Sequence, residues 1–176
     1  MGLAAAVVLV AGLGIYAVSL RFKLSHAEQA VADYSTRLET LRDQLASARL
    51  NTTRLANTIS VLGAPDIIKV NLRGQADAPA AVGRAYISAS RGMIFETEQM
   101  PLLPPGKVYQ LWVIPPGQTP VSAGIFNVAS NGTYSMVRPL PEGVTSPQIV
   151  AVTVEDGPNG VVQSKNAPVL VGEAGQ

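Results

Sequence analysis

The chain has 176 residues, with 13 Lys+Arg against 12 Asp+Glu, a single His and no Cys. So even a balance gives no broad basic field for nucleic acid. The lack of Cys excludes disulfides, thiolate catalysis and thiolate metal sites. Mean hydropathy is positive despite 13 Pro and 16 Gly, and the apolar excess sits at the N-terminus.

Residues 2–20 read GLAAAVVLVAGLGIYAVSL and carry no charge. A membrane-spanning helix needs ~20 mostly apolar residues, so segment 1–20 is predicted as a transmembrane helix, with Leu3, Val8, Leu13 and Leu20 among its anchoring side chains. The rival reading, a cleaved signal peptide, requires a basic leader, a shorter apolar core and a small-x-small cleavage site. No basic residue precedes this run. Arg21 and Lys23 follow it, so the positive-inside rule alone would keep the C-terminal side cytoplasmic. Gly12 and Gly14 weaken the helix locally, although Gly is common in membrane helices.

From Leu24 the apolar period becomes seven. Leu24, Val31, Leu38, Leu45, Thr52 and Ile59 fall at a; Ala27, Tyr34, Leu41, Ala48, Leu55 and Leu62 fall at d. Sustained a/d repeats predict a coiled-coil-like helical stalk over 21–62, with an amphipathic helix folded onto the later domain as the alternative. Asp33 with Arg37 and Glu39 with Arg42 have the spacing of intrahelical ion pairs, each worth a few tenths of a kcal/mol. In a parallel pair, Arg37 at g would face Arg42 at e and repel it, so any homodimer through this stalk is expected to be weak. Gly63 and Pro65 end the helix.

Residues 63–176 form the third region. Short apolar runs broken by Gly, Pro and Asn give about eight strands: IIKVNLRG, GRAYISAS, GMIFETEQ, KVYQLWVI, VSAGIFNV, TYSMVRPL, QIVAVTVED and APVLVG. In the first, Ile68, Val70 and Leu72 point inward. The turn spacing predicts an antiparallel sandwich or barrel, taken as a mainly-β sandwich. Ser130-Asn131-Gly132 is expected to close a tight hairpin between the GIFNV and TYSMV strands. KVYQLWVI is apolar on both faces, as a central strand should be. Pro115-Pro116-Gly117 breaks it, and VSAGIF returns as its partner, where Gly124 predicts a bulge or a close contact beneath Trp112. Core and turn is the plain reading of this hairpin; a ligand groove around Trp112 is the other.

Catalytic constellations are sparse. The single His, His26, lies in the stalk, away from any pocket that a Ser-His-Asp set requires. Glu155, Asp156, Gly157 and Asn159 resemble a weak calcium loop without EF-hand spacing; acidic residues at Gly turns are commoner. Glu96 and Glu98 share one strand face and would serve as an acid/base pair only within a pocket that holds both. No phosphate-cradling Gly-rich loop occurs, and no cofactor or metal is expected. Asn51 and Asn131 match a glycosylation pattern that is too frequent to carry weight. The chain reads as a non-enzyme.

The stretch GKVYQLWVIPPGQTPVSAGIF, with GTYSMVRPLPEG and QIVAVTVEDGPNG after it, resembles the C-terminal domain of anti-sigma-K factors of the RskA type over roughly residues 66–172. Tyr109, Gln110, Leu111, Trp112, Pro120 and Gly124 carry the hairpin motif. The resemblance implies a bacterial single-pass protein of the cytoplasmic membrane with its β-domain outside. It also implies regulated proteolysis that frees a sigma factor held by a cytoplasmic N-terminal domain. That domain is not in this sequence, and supplying it upstream would resolve the orientation conflict. The partners implied are the membrane, a sigma factor through the missing domain, and regulatory proteases; no nucleic acid is among them. The alternative is an envelope-anchored β-sandwich binding or scaffold module on a coiled-coil stalk.

Overall fold

The computed structural model describes Arg21, Asp33, Tyr34 and residues 36–175. The predicted transmembrane helix 1–20, the seam positions Leu24, Ala27 and Val31, and His26 lie outside the described residues. Among the described residues no helix is long and apolar enough to cross a membrane. The chain divides into two units, Met1–Thr52 and Thr53–Gln176, and the boundary falls inside one helix, α1, residues 36–62.

In the first unit α1 is exposed along its whole described length, and its seam leucines are no exception. Leu38, Leu41 and Leu45 are 56, 55 and 57 % exposed. The seam therefore exists as a stripe without a partner, and the predicted coiled coil is not formed within the described residues. The two expected intrahelical ion pairs are absent. Ion pairs form elsewhere, at the surface, between Arg84 and Glu98 at 2.9 Å and between Lys107 and Asp156 at 2.7 Å.

The second unit begins with the last turns of α1. Gly63 N–H closes onto Ile59 O at 2.9 Å. This end of the helix meets the β-domain through Arg54, whose guanidinium donates to Ser135 O at 3.5 Å, and through Ser60, whose hydroxyl accepts from Arg91 at 3.4 Å. Val61 is buried, while Leu55, Ile59 and Leu62 stay exposed. The contact thus uses a face of the helix other than its a/d seam. Next comes Asp66, which ties the helix end to the turn at residues 88–91: its carboxylate accepts from Ser88 Oγ at 2.7 Å and from Ser90 N and Oγ at 3.1 Å each.

Eight strands follow: β1 Ile68–Gly74, β2 Val82–Ser88, β3 Gly92–Glu98, β4 Lys107–Ile114, β5 Val121–Phe126, β6 Tyr134–Arg138, β7 Ile149–Asp156 and β8 Leu170–Glu173. They match the eight predicted segments. All pair antiparallel, in the order β5-β4-β7-β8-β1-β2-β3-β6. This is one sheet rather than the two separate sheets of the expected sandwich. It rolls until its ends meet. Phe126 of edge strand β5 stacks on Tyr134 of the opposite edge strand β6 at 4.4 Å between ring centroids, and touches Phe95 of β3 at 5.7 Å and Tyr109 of β4 at 5.4 Å. Arg138 of β6 donates to Ala123 O of β5 across the same seam. Side chains, not a ladder, close this nearly complete barrel, and they cover edges that would otherwise template aggregation.

The Ser130-Asn131-Gly132 turn forms, with Gly132 N–H donating to Ala129 O at 2.8 Å. It does not make a hairpin ladder, because β6 pairs with β3 at the opposite edge of the sheet from β5. The interior is filled by alternate residues of the strands: Val70, Leu72, Ala85, Ile87, Met93, Phe95, Tyr109, Leu111, Val113, Val150, Val152 and Leu170 belong to one cluster. The prediction of Ile68, Val70 and Leu72 inward holds: Val70 and Leu72 are buried in this cluster and Ile68 packs against it, half-buried, while the alternate residues Lys69, Asn71 and Arg73 are exposed.

Candidate functional site

Strand β4 is buried on both faces from Val108 to Val113. Its inner face, Tyr109, Leu111 and Val113, enters the core. Tyr109 also donates its hydroxyl to Pro101 O at 2.7 Å, and burial pushes its phenol pKa up. Burial likewise raises that of Tyr134, with Arg138 and Arg54 opposing.

The outer face, Val108, Gln110 and Trp112, is buried by other means. β7 runs alongside in full register, placing Ala151, Thr153 and Glu155 opposite Trp112, Gln110 and Val108. On the other flank Ser122 of β5 stands opposite Trp112. Small neighbours on both sides leave room for the indole, which is 2 % exposed. The connection 157–169 between β7 and β8 then passes over this face as a strap.

A chain of hydrogen bonds fastens the strap. Trp112 Nε1–H donates to Thr153 Oγ1 at 2.8 Å, and the Thr153 hydroxyl donates to Glu155 Oε1 at 2.6 Å. Ser164 Oγ donates to the same oxygen at 2.5 Å. Asn166 Nδ2 donates to Glu155 Oε2 at 2.9 Å and to Val154 O at 2.8 Å. Glu155, 2 % exposed, is therefore a buried carboxylate held by three donors, which offset the cost of removing it from water.

Gln110 performs the matching task one step along. Its Oε1 accepts from Val161 N at 2.8 Å, and its Nε2 donates to Val161 O and to Ser122 Oγ, both at 2.8 Å. The amide thus pairs both backbone groups of one strap residue, as a neighbouring strand would. Gly160 has φ +67°, and a Cβ there would strike the Gln110 amide, so only Gly lets the strap approach this closely. Among the described residues no buried side-chain polar atom lacks a partner.

Between strap and hairpin lies an open groove of about 730 Å³, lined by Gln110, Thr119, Pro120, Ser122 and strap residues 159–163. Val162 stands at its rim, 97 % exposed. Pro120 lines this groove; Trp112 does not. The expectation of a groove built around Trp112 is corrected accordingly: the indole is a wedge in the wall, and Gln110 is the polar member that reaches the groove. The predicted bulge in β5 is present, with Leu111 opposite Gly124 but Trp112 opposite Ser122. The close contact of Gly124 is with Arg138 rather than with Trp112. At φ +119°, a Cβ there would collide with the Arg138 guanidinium that seals the roll.

The other candidates separate. Glu96 and Glu98 line one open cleft with Asn71, Arg73 and Arg84, and Glu98 is paired with Arg84. Glu155 is buried beneath the strap, bonded to Ser164 and Asn166, whereas Asp156 pairs with Lys107 on the surface, so the two do not converge on a shared ion. Among the described residues no group of acids and His is placed to hold a metal. Asn131 Oδ1 accepts from Thr133 N at 3.2 Å and Oγ1 at 2.8 Å, shaping its own turn. The seam residues Leu38, Leu41, Leu45, Leu55, Ile59 and Leu62 are brought to no site and remain open.

The Glu155 network was not anticipated from the sequence. The available signal was Gln110, a polar side chain in a strand apolar on both faces, which must find partners. Strand β7 repeats it, since Thr153 and Glu155 alternate with core valines.

No curated protein and no solved structure matches the chain. A family model described as "Anti-sigma-K factor rskA, C-terminal" matches residues 1–168. The match takes in the predicted anchor and α1 as well as most of the β-domain, beginning well before the roughly 66–172 of the resemblance and ending at 168. The chain belongs to the anti-sigma-K factor RskA C-terminal family.

Proposed function

We propose that the chain is the membrane-anchored, extracytoplasmic part of an anti-sigma regulator that controls sigma-factor-dependent transcription through regulated proteolysis. The observation that carries this reading is the family match over 1–168, which includes the uncharged run 2–20 together with the β-domain. Family members are regulators rather than enzymes, and the polar groups of the YQLW face support that view, because they bond to one another and to the strap.

In this reading segment 1–20 crosses the membrane and 21–62 spaces the β-domain from it. The sigma factor is held by a cytoplasmic domain that precedes the anchor in the full regulator. The β-domain is a closed roll whose edges are covered, a body resistant to proteases, while α1 stands open as the accessible substrate. Cleavage requires local unwinding, which Gly12 and Gly14 ease within the membrane segment.

A topology experiment tests it. A reporter active only outside the cytoplasm is fused after Gln176, with a cytoplasm-only reporter in parallel. Outside activity is the expected result. Inside activity would mean that Arg21 and Lys23 set the orientation, and the regulator reading would fall. The second reading, an anchored β-domain scaffold module, draws on the exposed α1 seam. A sigma-factor gene beside this one favours the first reading, and its absence the second.

A further inference from the structure

We propose that the apolar seam formed by Tyr34 and by α1 as far as Thr52 is a docking surface for an amphipathic helix whose flanks are acidic. The inference goes beyond the regulator reading and holds on either side of the membrane. Tyr34, Leu38, Leu41, Leu45, Ala48 and Thr52 keep unbroken a/d spacing, and the large ones are all more than half exposed. Thr52, the polar member, gives its hydroxyl to Ala48 O at 2.9 Å, so it adds no unsatisfied donor to an interface.

The flanks decide the occupant. Arg37 at g and Arg42 and Arg49 at e border the seam, and none of them is in an ion pair. From residue 30 to 58 no e or g position is acidic; the one acid at e, Glu28, lies upstream. A second copy in parallel sets Arg37 against Arg42 and Gln44 against Arg49. An antiparallel copy sets e against e and g against g, so within 30–58 the arginines again meet only arginine or neutral residues. Residues at e and g select coiled-coil partners by charge, and like charges facing one another select against them. A helix with Glu or Asp at e and g supplies the missing complement.

A lipid surface is a poorer match. The stripe is confined to a and d, narrower than the apolar face of an interfacial helix. The opposite face carries Asp33, Glu39 and Asp43, where membrane-surface helices carry Lys and Arg.

The test uses the full chain in zwitterionic nanodiscs and two labelled synthetic helices, each with Leu at a and d, one with Glu and one with Lys at e and g. Anisotropy should show the Glu helix binding at least roughly tenfold tighter at low salt, with the gap shrinking at high salt. The triple variant Arg37→Glu, Arg42→Glu, Arg49→Glu should invert the preference. Leu41→Ser with Leu45→Ser should abolish binding of both helices while leaving Trp112 fluorescence unchanged, since these leucines are exposed. Equal binding of the two helices would overturn the proposal. So would self-association of the full chain that neither helix competes away, which would make a second copy the occupant. Binding to anionic vesicles that the triple variant abolishes, with neither helix bound, would overturn it in favour of lipid.

Discussion

The two faces of β4 are equally buried and are buried by different physics. Inward, Tyr109, Leu111 and Val113 meet apolar side chains from around the roll. Hydrophobic contact is non-directional, so that face tolerates changes of partner provided volume is kept. Outward, Gln110 and Trp112 lie under a strap held by directed hydrogen bonds: Gln110 pairs with Val161, and Trp112 leads through Thr153 to one buried carboxylate that also holds the strap. A network of that kind is stable only when complete, and it specifies one position of the strap. The inner face holds the domain together; the outer face sets where the strap lies.

Substitutions should separate these roles. The largest effect is expected from Leu111→Ala, which removes fully buried methyl groups and leaves a cavity in the roll. About 2–5 kcal/mol of unfolding free energy should be lost, measured by denaturant titration. Glu155→Gln should come next. The new amide keeps one acceptor for Thr153 and Ser164 but turns a donor toward Asn166 Nδ2. A loss of about 1–3 kcal/mol is expected, together with faster amide exchange in residues 161–166 and unchanged exchange in β1 and β2. Uniform acceleration over the whole domain would show that strap and core are a single cooperative unit. Gln110→Ala should cost less, about 1–2 kcal/mol, because Val161 lies near the groove and water can reach its freed N–H and C=O. Amide exchange at Val161 is the direct readout, and an unchanged rate would mean that the strap is held by Glu155 alone.

The sequence made the strands legible and left their arrangement obscure. Alternation placed Val70 and Leu72 inward, and a turn signal bounded every strand. The pairing of β4 with β7 and of β3 with β6 joins segments far apart in the chain, and local periodicity carries no information about such partners. The Asn131-Gly132 turn was read as a hairpin because its chemistry suits one; the rolled sheet places β6 beside β3 instead. Glu155 sits next to a Gly-containing turn and looked like a solvated acid. Its burial depends on Ser164 and Asn166, which only the folded strap brings to it. In α1 the heptads were readable because helix periodicity is local.

The smallest expected effect lies at the join between helix and roll. Hydrogen bonds from the Ser88 hydroxyl, then from Ser90 N and Oγ, lower the Asp66 pKa below its ordinary 3.8 against opposing desolvation. A folded-state pKa below the unfolded one means that the folded state binds its proton less readily. The stabilisation is therefore complete above the ordinary carboxylate range and is lost as pH falls through 3.8 toward the folded value. Asp66→Asn keeps the size of the side chain but replaces one acceptor oxygen with a donor facing Ser90. Its denaturant midpoint should lie slightly below that of the parent at neutral pH, and the two should converge in acid. A gap that stays constant across the acid range would mean that Asp66 acts through shape alone. Because the group is at the surface, salt should narrow the neutral-pH gap as well. Strap exchange should not follow either change, since Asp66 touches the β2–β3 turn and not the outer face of β4.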